Sequence, residues 1–546
     1  MRRRSILMAC ALGPWMSSAV AAAVGTACDE LVSMTIPNVE IRSATVVPAG
    51  LFPPRGAIGT LLQKLFQPGG TIATILPGRF QRFGATNSFV LPEFCRIEAT
   101  ARPVQDSEIN FELWIPPPGN WNGKFQGVGN GGWSGDLDYA AMARALRQGY
   151  ATASHDTGHS GGDLKFGQRH PEKVVDYAYR AVHVMTDTSK LLIRVQTGRF
   201  AERAYFVGCS AGGHQALSEA QRYPEDYDGI IAGAPANNRI RQIFGLLWSW
   251  MATHQNGKLV LPAAKLRVIT QAVVEACDSI DGLKDGLVDD PRACRFDAAT
   301  LLCKGADEAN CLTAAQVEAV RKVHDGLKDP KTGTQIYPGW SVGSEDIGNQ
   351  SWRTYILDPP EPMRVQFFRY FLFDDPTWDW NTIQWDRDLA YAEEKLGFIA
   401  AIEPNLTPFE RHGGKLLIYA GWSDPIVAAE DTVAYYEAVT NASGGPVRTL
   451  RFARLFMAPG MGHCGGGPGP NQFDAVAALD DWVTHEHAPD QLIASHTTDG
   501  QVDRSRPLCP YPQVARFKGL GSIDAAANFG CVNPSAPANG TPAIRR

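Results

Sequence analysis

The 546-residue chain contains no Cys-x-x-Cys pair, no internal repeat, and beyond its opening segment no apolar run long enough to cross a bilayer. The first absence argues against a cysteine zinc site and the second against a repeat architecture. The third argues against stable insertion in a membrane. An excess of one charge is also missing. A formal net charge of -6 favours neither nucleic acid nor an anionic membrane surface as partner. Glycine (54) and proline (37) are plentiful, which fits a loop-rich α/β chain better than a helical bundle. With 44% hydrophobic and 20% charged residues, the chain is ordinary globular protein with ample core.

The opening "MRRRSILMACALGPWMSSAVAAAVG" has a basic start, an apolar middle and small residues at its end. It reads as an export signal over residues 1–23, cleaved after Ala21 or Ala23, so the protein is expected to be secreted or periplasmic. A short membrane anchor, or a lipoprotein signal ending at Cys10, are the alternatives. Ten cysteines remain after Cys10, and an even number in an exported chain suggests five disulfides. Cys277/Cys294 and Cys303/Cys311 are close enough in sequence to close local loops; spacing leaves the full pairing open.

Period-2 apolar patterning marks strands at Ile109–Ile115 and Lys124–Val128, and "RAYFVGC", "YDGIIAGAP" and "GGKLLIYAGW" read as further strands. Between them lie the amphipathic stretches "DLDYAAMARALRQG" and "VVDYAYRAVHVMTDTSKLLIRVQTG" and the segment "GGHQALSEAQRY". Alternating strands and helices predict an α/β fold on a largely parallel sheet. The alternation stops at about residue 237 and resumes near 408. The chain therefore divides into a first core part (24–236), an inserted lid (237–407), a second core part (408–531) and a Pro/Ala/Asn-rich tail (532–546) expected to be disordered.

"YFVGCSAGGHQ" places Gly208-Cys209-Ser210-Ala211-Gly212 between a strand and a helix. Small residues flank a serine in this way where a sharp turn lifts its hydroxyl above a sheet. The same turn directs the next amide, that of Ala211, at a developing oxyanion. A serine hydroxyl needs a base and a group to orient that base. Asp424, in "YAGWSDPIV", follows a strand, and His463, in "MAPGMGHCGGGPGP", follows the next one. The order Ser210, Asp424, His463 suits a strand-borne triad. Gly132, in "GVGNGGWSG", is the expected second oxyanion donor, with Gly131 beside it. Cys209 precedes the serine and Cys464 follows the histidine. If the two side chains meet, a Cys209–Cys464 bond would hold both catalytic loops in register. A glycine-rich turn with a helix-capping serine is the plainer reading of the pentapeptide.

"CDSIDGLKDGLVDDPRAC" carries five carboxylates without EF-hand spacing. Asp278, Asp281 and Asp285, interleaved with the carbonyls of Leu283 and Leu287, can converge on one point. Oxygen ligands on a flexible loop with no nearby histidine suit a structural Ca²⁺; a solvated acidic turn is the alternative.

These segments, together with "RPLCPYPQVARFKGLGSIDAAANFGC", resemble the tannase/feruloyl esterase family, which includes type B feruloyl esterases, tannases and an enzyme hydrolysing mono(2-hydroxyethyl) terephthalate. The resemblance implies an α/β-hydrolase core with a large inserted lid, and a lid Ca²⁺ on Asp278, Asp281, Leu283, Asp285 and Leu287. It also implies disulfides Cys28–Cys95, Cys209–Cys464, Cys277–Cys294, Cys303–Cys311 and Cys509–Cys531. The expected activity is a serine carboxylesterase acting through an acyl-enzyme on aryl esters, first of all the feruloyl esters of plant cell-wall polysaccharide. Gallate esters and terephthalate monoesters are the alternatives, and a catalytically inactive Ca²⁺-dependent carbohydrate-binding protein is the alternative of another class. Arg353 is the candidate to bind a free substrate carboxylate. Trp248, Trp250, Trp352, Phe367 and Phe368 are expected to wall the aromatic pocket, with lid core as their plainer reading.

Overall fold

The computed structural model describes residues 25–52, 90–255 and 257–534. The expected signal (1–23) and the tail beyond residue 534 lie outside the described residues. Nine strands form the main sheet: β1 (Val39–Val47), β2 (Phe94–Ala101), β3 (Ile109–Ile115), β4 (Lys124–Val128), β5 (Ala151–His155), β6 (Arg203–Cys209), β7 (Gly229–Gly233), β8 (Lys415–Gly421) and β9 (Ala453–Ala458). Their spatial order is β1-β2-β3-β5-β4-β6-β7-β8-β9. The first four in that order pair antiparallel and the rest parallel. The parallel half is buried on both faces, which is why β7 and β8 read as nearly continuous apolar runs.

The covering helices are α1 (Tyr139–Arg147), α2 (Ala181–Thr197), α3 (Ala211–Arg222), α8 (Ala429–Ala442) and α9 (Ala475–His485). Between α3 and α8 the inserted segment adds α4 (Arg239–Thr253), α5 (Leu266–Cys277), α6 (Ala314–Asp325) and α7 (Trp385–Leu396). This is the α/β-hydrolase architecture, with both core parts contributing to one sheet. Helix α1 starts where Asp138 accepts from the Ala141 amide at 2.9 Å. It stops before Gly149, which takes the left-handed conformation (φ +82°).

Two elements differ from the sequence reading. The long helix expected before β6 contains a π-helical turn at Asp176–Arg180. There the buried Asp176 accepts from Ser107 Oγ at 2.7 Å and Arg180 Nε at 2.5 Å. The strand that the sequence places before His463 is short, only Ala453–Ala458, because Pro446–Thr449 ahead of it forms a helical turn with proline at its start.

The core has two main parts. One packs under the sheet, around Ile97, Phe111, Phe206, Leu416 and Leu455. The other fills the inserted segment, around Phe244, Leu247, Val320, Trp340 and Trp352, and reaches the hydrolase core through Trp133 and Tyr177. Two further hairpin-like pairs follow α9: β10 (Leu492–Thr498) with β11 (Gln501–Leu508), and β12 (Val514–Phe517) with β13 (Phe529–Val532). Among the described residues no helix is long and apolar enough to cross a membrane. Five disulfides join the pairs implied by the family resemblance, with Cα–Cα distances of 5.0–6.0 Å that suit such bonds.

Candidate active site

Ser210 ends β6 and opens α3 with φ +63° and ψ -116°, a conformation that costs a β-carbon residue energy and persists only when its surroundings over-determine it. The surroundings do so. The Ser210 amide donates to Gly233 O at 2.9 Å, and the Ser210 carbonyl accepts from His214 N at 3.0 Å and Ala236 N at 3.1 Å. A Cβ on Gly208 would collide with the Gly212 backbone, and one on Gly212 would stand 3.1 Å from Asn130 O. The glycines of the pentapeptide are therefore required by close approach of β6, α3 and the loop after β4.

That loop carries Gly131 and Gly132 and is stapled to α3. Gln215 Oε1 accepts from the Asn130 amide at 3.0 Å, and Gln215 Nε2 donates to Asn130 Oδ1 at 3.1 Å. Asn130 Nδ2 reaches back to His155 O at 2.7 Å and Asp136 O at 2.9 Å. Gly132 has φ +61°, and its carbonyl accepts from Arg239 Nη2 at 2.8 Å and Tyr177 OH at 3.0 Å.

Asp424 and His463 meet directly. His463 Nδ1 lies 2.7 Å from Asp424 Oδ2. The other carboxylate oxygen, Oδ1, accepts from the Ile426 and Val427 amides at 2.9 Å each. Asp424 is buried and His463 nearly so. The carboxylate is thus aimed by its own turn and aims the ring in turn. The Cys209–Cys464 bond brings the loops of Ser210 and His463 together, their cysteine Cα atoms 6.0 Å apart. Among the described residues no hydrogen bond joins Ser210 Oγ to His463; such contacts commonly tighten only when substrate binds.

Several residues here were not foreseen from sequence. Gln350, from the inserted segment, brackets the histidine backbone. Its Oε1 accepts from His463 N at 2.6 Å, and its Nε2 donates to His463 O at 3.1 Å and Gly465 O at 2.9 Å. Arg239 and Arg364 lie beside the Gly132 loop. The Arg239 guanidinium sits 4.7 Å from the Trp133 ring centroid and hydrogen-bonds Tyr177 OH. Arg364 Nη2 comes within 3.3 Å of where a Gly132 Cβ would stand. Burial, with the Arg239 charge beside it, pulls the Arg364 guanidinium down to about 10. Arg239 is buried, whereas Arg364 is partly exposed. The one sequence hint was an arginine within the apolar stretch "EPMRVQFFRYF".

Two expectations are corrected. Arg353 is exposed and its Nε is engaged by Asp358 Oδ2 at 2.7 Å, an ion pair five residues along its own segment, so it is not placed to meet substrate. Trp352, Phe367 and Phe368 are fully buried and Trp250 nearly so, and Trp248 donates to Lys322 O at 3.1 Å. These five pack the inserted segment's interior; the aromatic residue beside the Gly132 loop is Trp133, stacked on Tyr177 at 4.5 Å.

The acidic loop closes on itself. Asp278 accepts from the Asp285 and Gly286 amides at 3.0 Å each, Asp281 from Leu283 N at 2.9 Å and Asp285 from Leu287 N at 3.2 Å. The Cys277–Cys294 bond ties its ends, with Cα atoms 5.4 Å apart. Three arginines of the C-terminal strands approach it. Arg506 pairs with Asp285 Oδ2, Arg504 Nη2 donates to Asp285 O at 3.0 Å, and Arg516 donates to Asp281 O. Burial, and after it the Asp281 charge, push the Asp289 carboxyl up to about 7. The donor set of three carboxylates plus the Leu283 and Leu287 carbonyls has the oxygen-only chemistry of a Ca²⁺ site, and a bound ion would share Asp285 with Arg506.

The model of the family described as tannase and feruloyl esterase matches residues 95–532. An uncharacterized esterase of Xanthomonas campestris pv. campestris is 36% identical over 571 residues, covering 96% of this chain and 93% of that protein. The mono(2-hydroxyethyl) terephthalate hydrolase of Piscinibacter sakaiensis is 33% identical over 527 residues, covering 81% and 85%. The crystal structure of feruloyl esterase B from Aspergillus oryzae superimposes with a TM-score of 0.80 at 28% identity, covering 91% of this chain and 98% of that one. The chain belongs to the tannase and feruloyl esterase family and is a carboxylic ester hydrolase.

Proposed function

We propose that the protein is an exported serine esterase that cleaves esters of aromatic acids, hydroxycinnamates such as ferulate first among them, through an acyl-enzyme. The observation that carries this reading is the Asp424–His463 pair, 2.7 Å apart, tethered by Cys209–Cys464 to the strained turn of Ser210. Ser210 Oγ attacks the ester carbonyl while His463 takes its proton. The amides of Ala211 and Gly132 hold the oxyanion. His463 then protonates the departing alcohol and activates the water that releases the acid. Residues 237–407 act as the lid over this centre. The loop of Asp278, Asp281, Leu283, Asp285 and Leu287 holds a structural Ca²⁺. Five disulfides support export to an oxidising compartment.

A second reading is favoured by one observation. Among the described residues Arg239 and Arg364 have no carboxylate partner, although both lie beside the Gly132 loop. A buried cation such as Arg239 is costly without counter-charge, and an aryl monoester bearing a free carboxylate would supply it. The experiment is hydrolysis of methyl ferulate and of mono(2-hydroxyethyl) terephthalate by the protein and by Ser210→Ala. Ferulate release that falls about 10³-fold or more in the variant supports the first reading. Release from the terephthalate monoester alone moves the assignment to the second. Retained activity in Ser210→Ala, or failure of a phosphonate probe to label Ser210, overturns the mechanism for both.

A further inference from the structure

The loop after β4 runs Asn130-Gly131-Gly132-Trp133, and two consecutive glycines leave a backbone free to take many conformations. In the structure it takes one. Gly132 has φ +61°, and both peptide units that flank its Cα are held. Ahead of it, Gly131 O accepts from Ser134 N at 3.0 Å. Behind it, Gly132 O accepts from two donors, Arg239 Nη2 at 2.8 Å and Tyr177 OH at 3.0 Å. Arg239 also donates to the Tyr177 oxygen, so guanidinium, phenol and carbonyl close a triangle of hydrogen bonds. Both lone pairs of the carbonyl are thereby used. Among the described residues the Gly132 amide, on the other side of the same Cα, donates to no protein acceptor.

The clamp draws on three elements that are distant in sequence. Arg239 is the first residue of α4, in the inserted segment. Tyr177 lies in the π-helical turn Asp176–Arg180, whose Asp176 is fixed by Ser107 and Arg180. Such turns are frequent at functional sites. Trp133 follows Gly132, its ring stacked on Tyr177 with centroids 4.5 Å apart and covered by the Arg239 guanidinium at 4.7 Å. The Trp133 carbonyl lies 2.9 Å from His159 Nε2. Arg239, Tyr177 and Trp133 are all buried, so these hydrogen bonds are made out of water, where they are strong. A buried guanidinium is a costly way to hold a loop that apolar packing would hold as well. What it adds is direction, because hydrogen bonds fix the plane of a peptide and apolar contacts do not.

We propose that Arg239, acting with Tyr177, is a positioning residue of the oxyanion hole: it fixes the Gly132 carbonyl so that the amide of the same residue faces the oxygen that becomes negative when Ser210 attacks. The inference rests on the serine-esterase reading of Ser210 and Gly132. It assigns Arg239 to the loop and not to a substrate carboxylate, since Nη2 is committed to Gly132 O and Tyr177 OH. Arg239 then serves every ester alike. Its effect lies in kcat, because the oxyanion forms only as the reaction proceeds.

The test is steady-state kinetics of the protein, Arg239→Met, Tyr177→Phe and the double variant. The substrates are p-nitrophenyl acetate, a neutral activated ester, and mono(2-hydroxyethyl) terephthalate, which carries a carboxylate. Arg239→Met is expected to lower kcat about 100-fold on each ester that the protein cleaves, the scale of a misplaced catalytic group. Tyr177→Phe keeps the stacked ring and removes only the hydroxyl, so kcat should fall about tenfold, with KM changed less than about twofold. Because both side chains act through one carbonyl, the double variant should lose little more than Arg239→Met; losses that multiply, as for independent sites, overturn the proposal. A loss confined to the terephthalate monoester and seen in KM makes Arg239 a substrate anchor and also overturns it. So does unaltered kcat in Tyr177→Phe, the variant that preserves shape should Arg239→Met not fold. Ser210→Ala separates this inference from the reading beneath it. Retained turnover of p-nitrophenyl acetate there rejects the serine mechanism itself, whereas turnover that depends on Ser210 but not on Arg239 or Tyr177 rejects the positioning role alone.

Discussion

Gln350 holds His463 by both ends of its peptide unit, accepting from its amide at 2.6 Å and donating to its carbonyl at 3.1 Å. The ring is held independently by Asp424 at 2.7 Å. The candidate base is thus held from two sides, at its backbone by the inserted segment and at its ring by the turn after β8.

Removing the Gln350 amide should loosen the base without removing it. Gln350→Ala is expected to lower kcat about tenfold with a smaller change in KM, since the geometry of the proton transfer suffers rather than ground-state binding. Gln350→Glu keeps the acceptor for His463 N and loses the donor to His463 O and Gly465 O, so it should fall between. Asp424→Asn should cost far more, about 10⁴-fold by analogy with a lost triad carboxylate. Steady-state kinetics on one ester decide the order; equal losses for Gln350→Ala and Asp424→Asn would contradict it.

The Cys209–Cys464 bond closes a loop of 255 residues. The chain-entropy model puts its contribution at about 5 kcal/mol as an upper figure. Replacing both cysteines by alanine should lower the urea midpoint and, because Ser210 and His463 lose their tether, lower kcat as well. Loss of stability with unaltered kcat would show that the bond staples the fold and does not align the site.

Acid should destabilise the protein through two histidines. Burial pulls both His155 and His214 from an ordinary 6.5 down to about 3. A group whose folded-state pKa is depressed binds its proton in the unfolded chain first. Stability is therefore full above about 6.5 and is lost as pH falls from there toward 3, at about 1.4 kcal/mol per pH unit for each ring. His214 Nε2 contacts Ile399 O at 2.6 Å, a contact that a glutamine amide can imitate. His214→Gln should reduce the slope of unfolding free energy between pH 4 and 6 by about one proton. An unchanged slope would exclude His214 as a source of acid lability.

Calcium should act on stability before activity. Chelation by EGTA is expected to lower Tm, and Ca²⁺ to restore it; at free Ca²⁺ one hundred times Kd the gain is about 2.7 kcal/mol. Asp278→Ala should abolish the Ca²⁺ effect. If Tm is indifferent to EGTA in the unaltered protein, the loop is an arginine-neutralised acidic turn, closed by Arg504, Arg506 and Arg516.

The readings that the sequence supported were those whose physics is local. A serine between small residues at a strand end can only form a tight turn, and Ser210 takes φ +63° there. Asp424 stood out as an acid directly after a buried strand, and the structure sets it 2.7 Å from His463 with its own turn supplying two of its hydrogen bonds. The parallel strands were visible as apolar runs because both their faces are covered. The π-helical turn at Asp176–Arg180 was not visible, since its apolar spacing does not distinguish it from the regular helix that follows. The aromatic wall was misplaced for a related reason. Tryptophan and phenylalanine look alike in sequence whether they line a cleft or fill a core, and only packing shows Trp352, Phe367 and Phe368 to be fully buried.

By itself the sequence determined the strand-and-helix alternation, the tight turn at Ser210 and the chain order of Ser210, Asp424 and His463, because these follow from the covalent neighbours of each residue. Only the tertiary structure decided that Gln350 grips His463 across 113 residues, that Arg364 stands over Gly132, and that Arg506 meets Asp285 across 221. Such contacts depend on how an inserted segment folds back over a sheet, and a side chain's sequence position carries no information about which distant surface will exclude water from it.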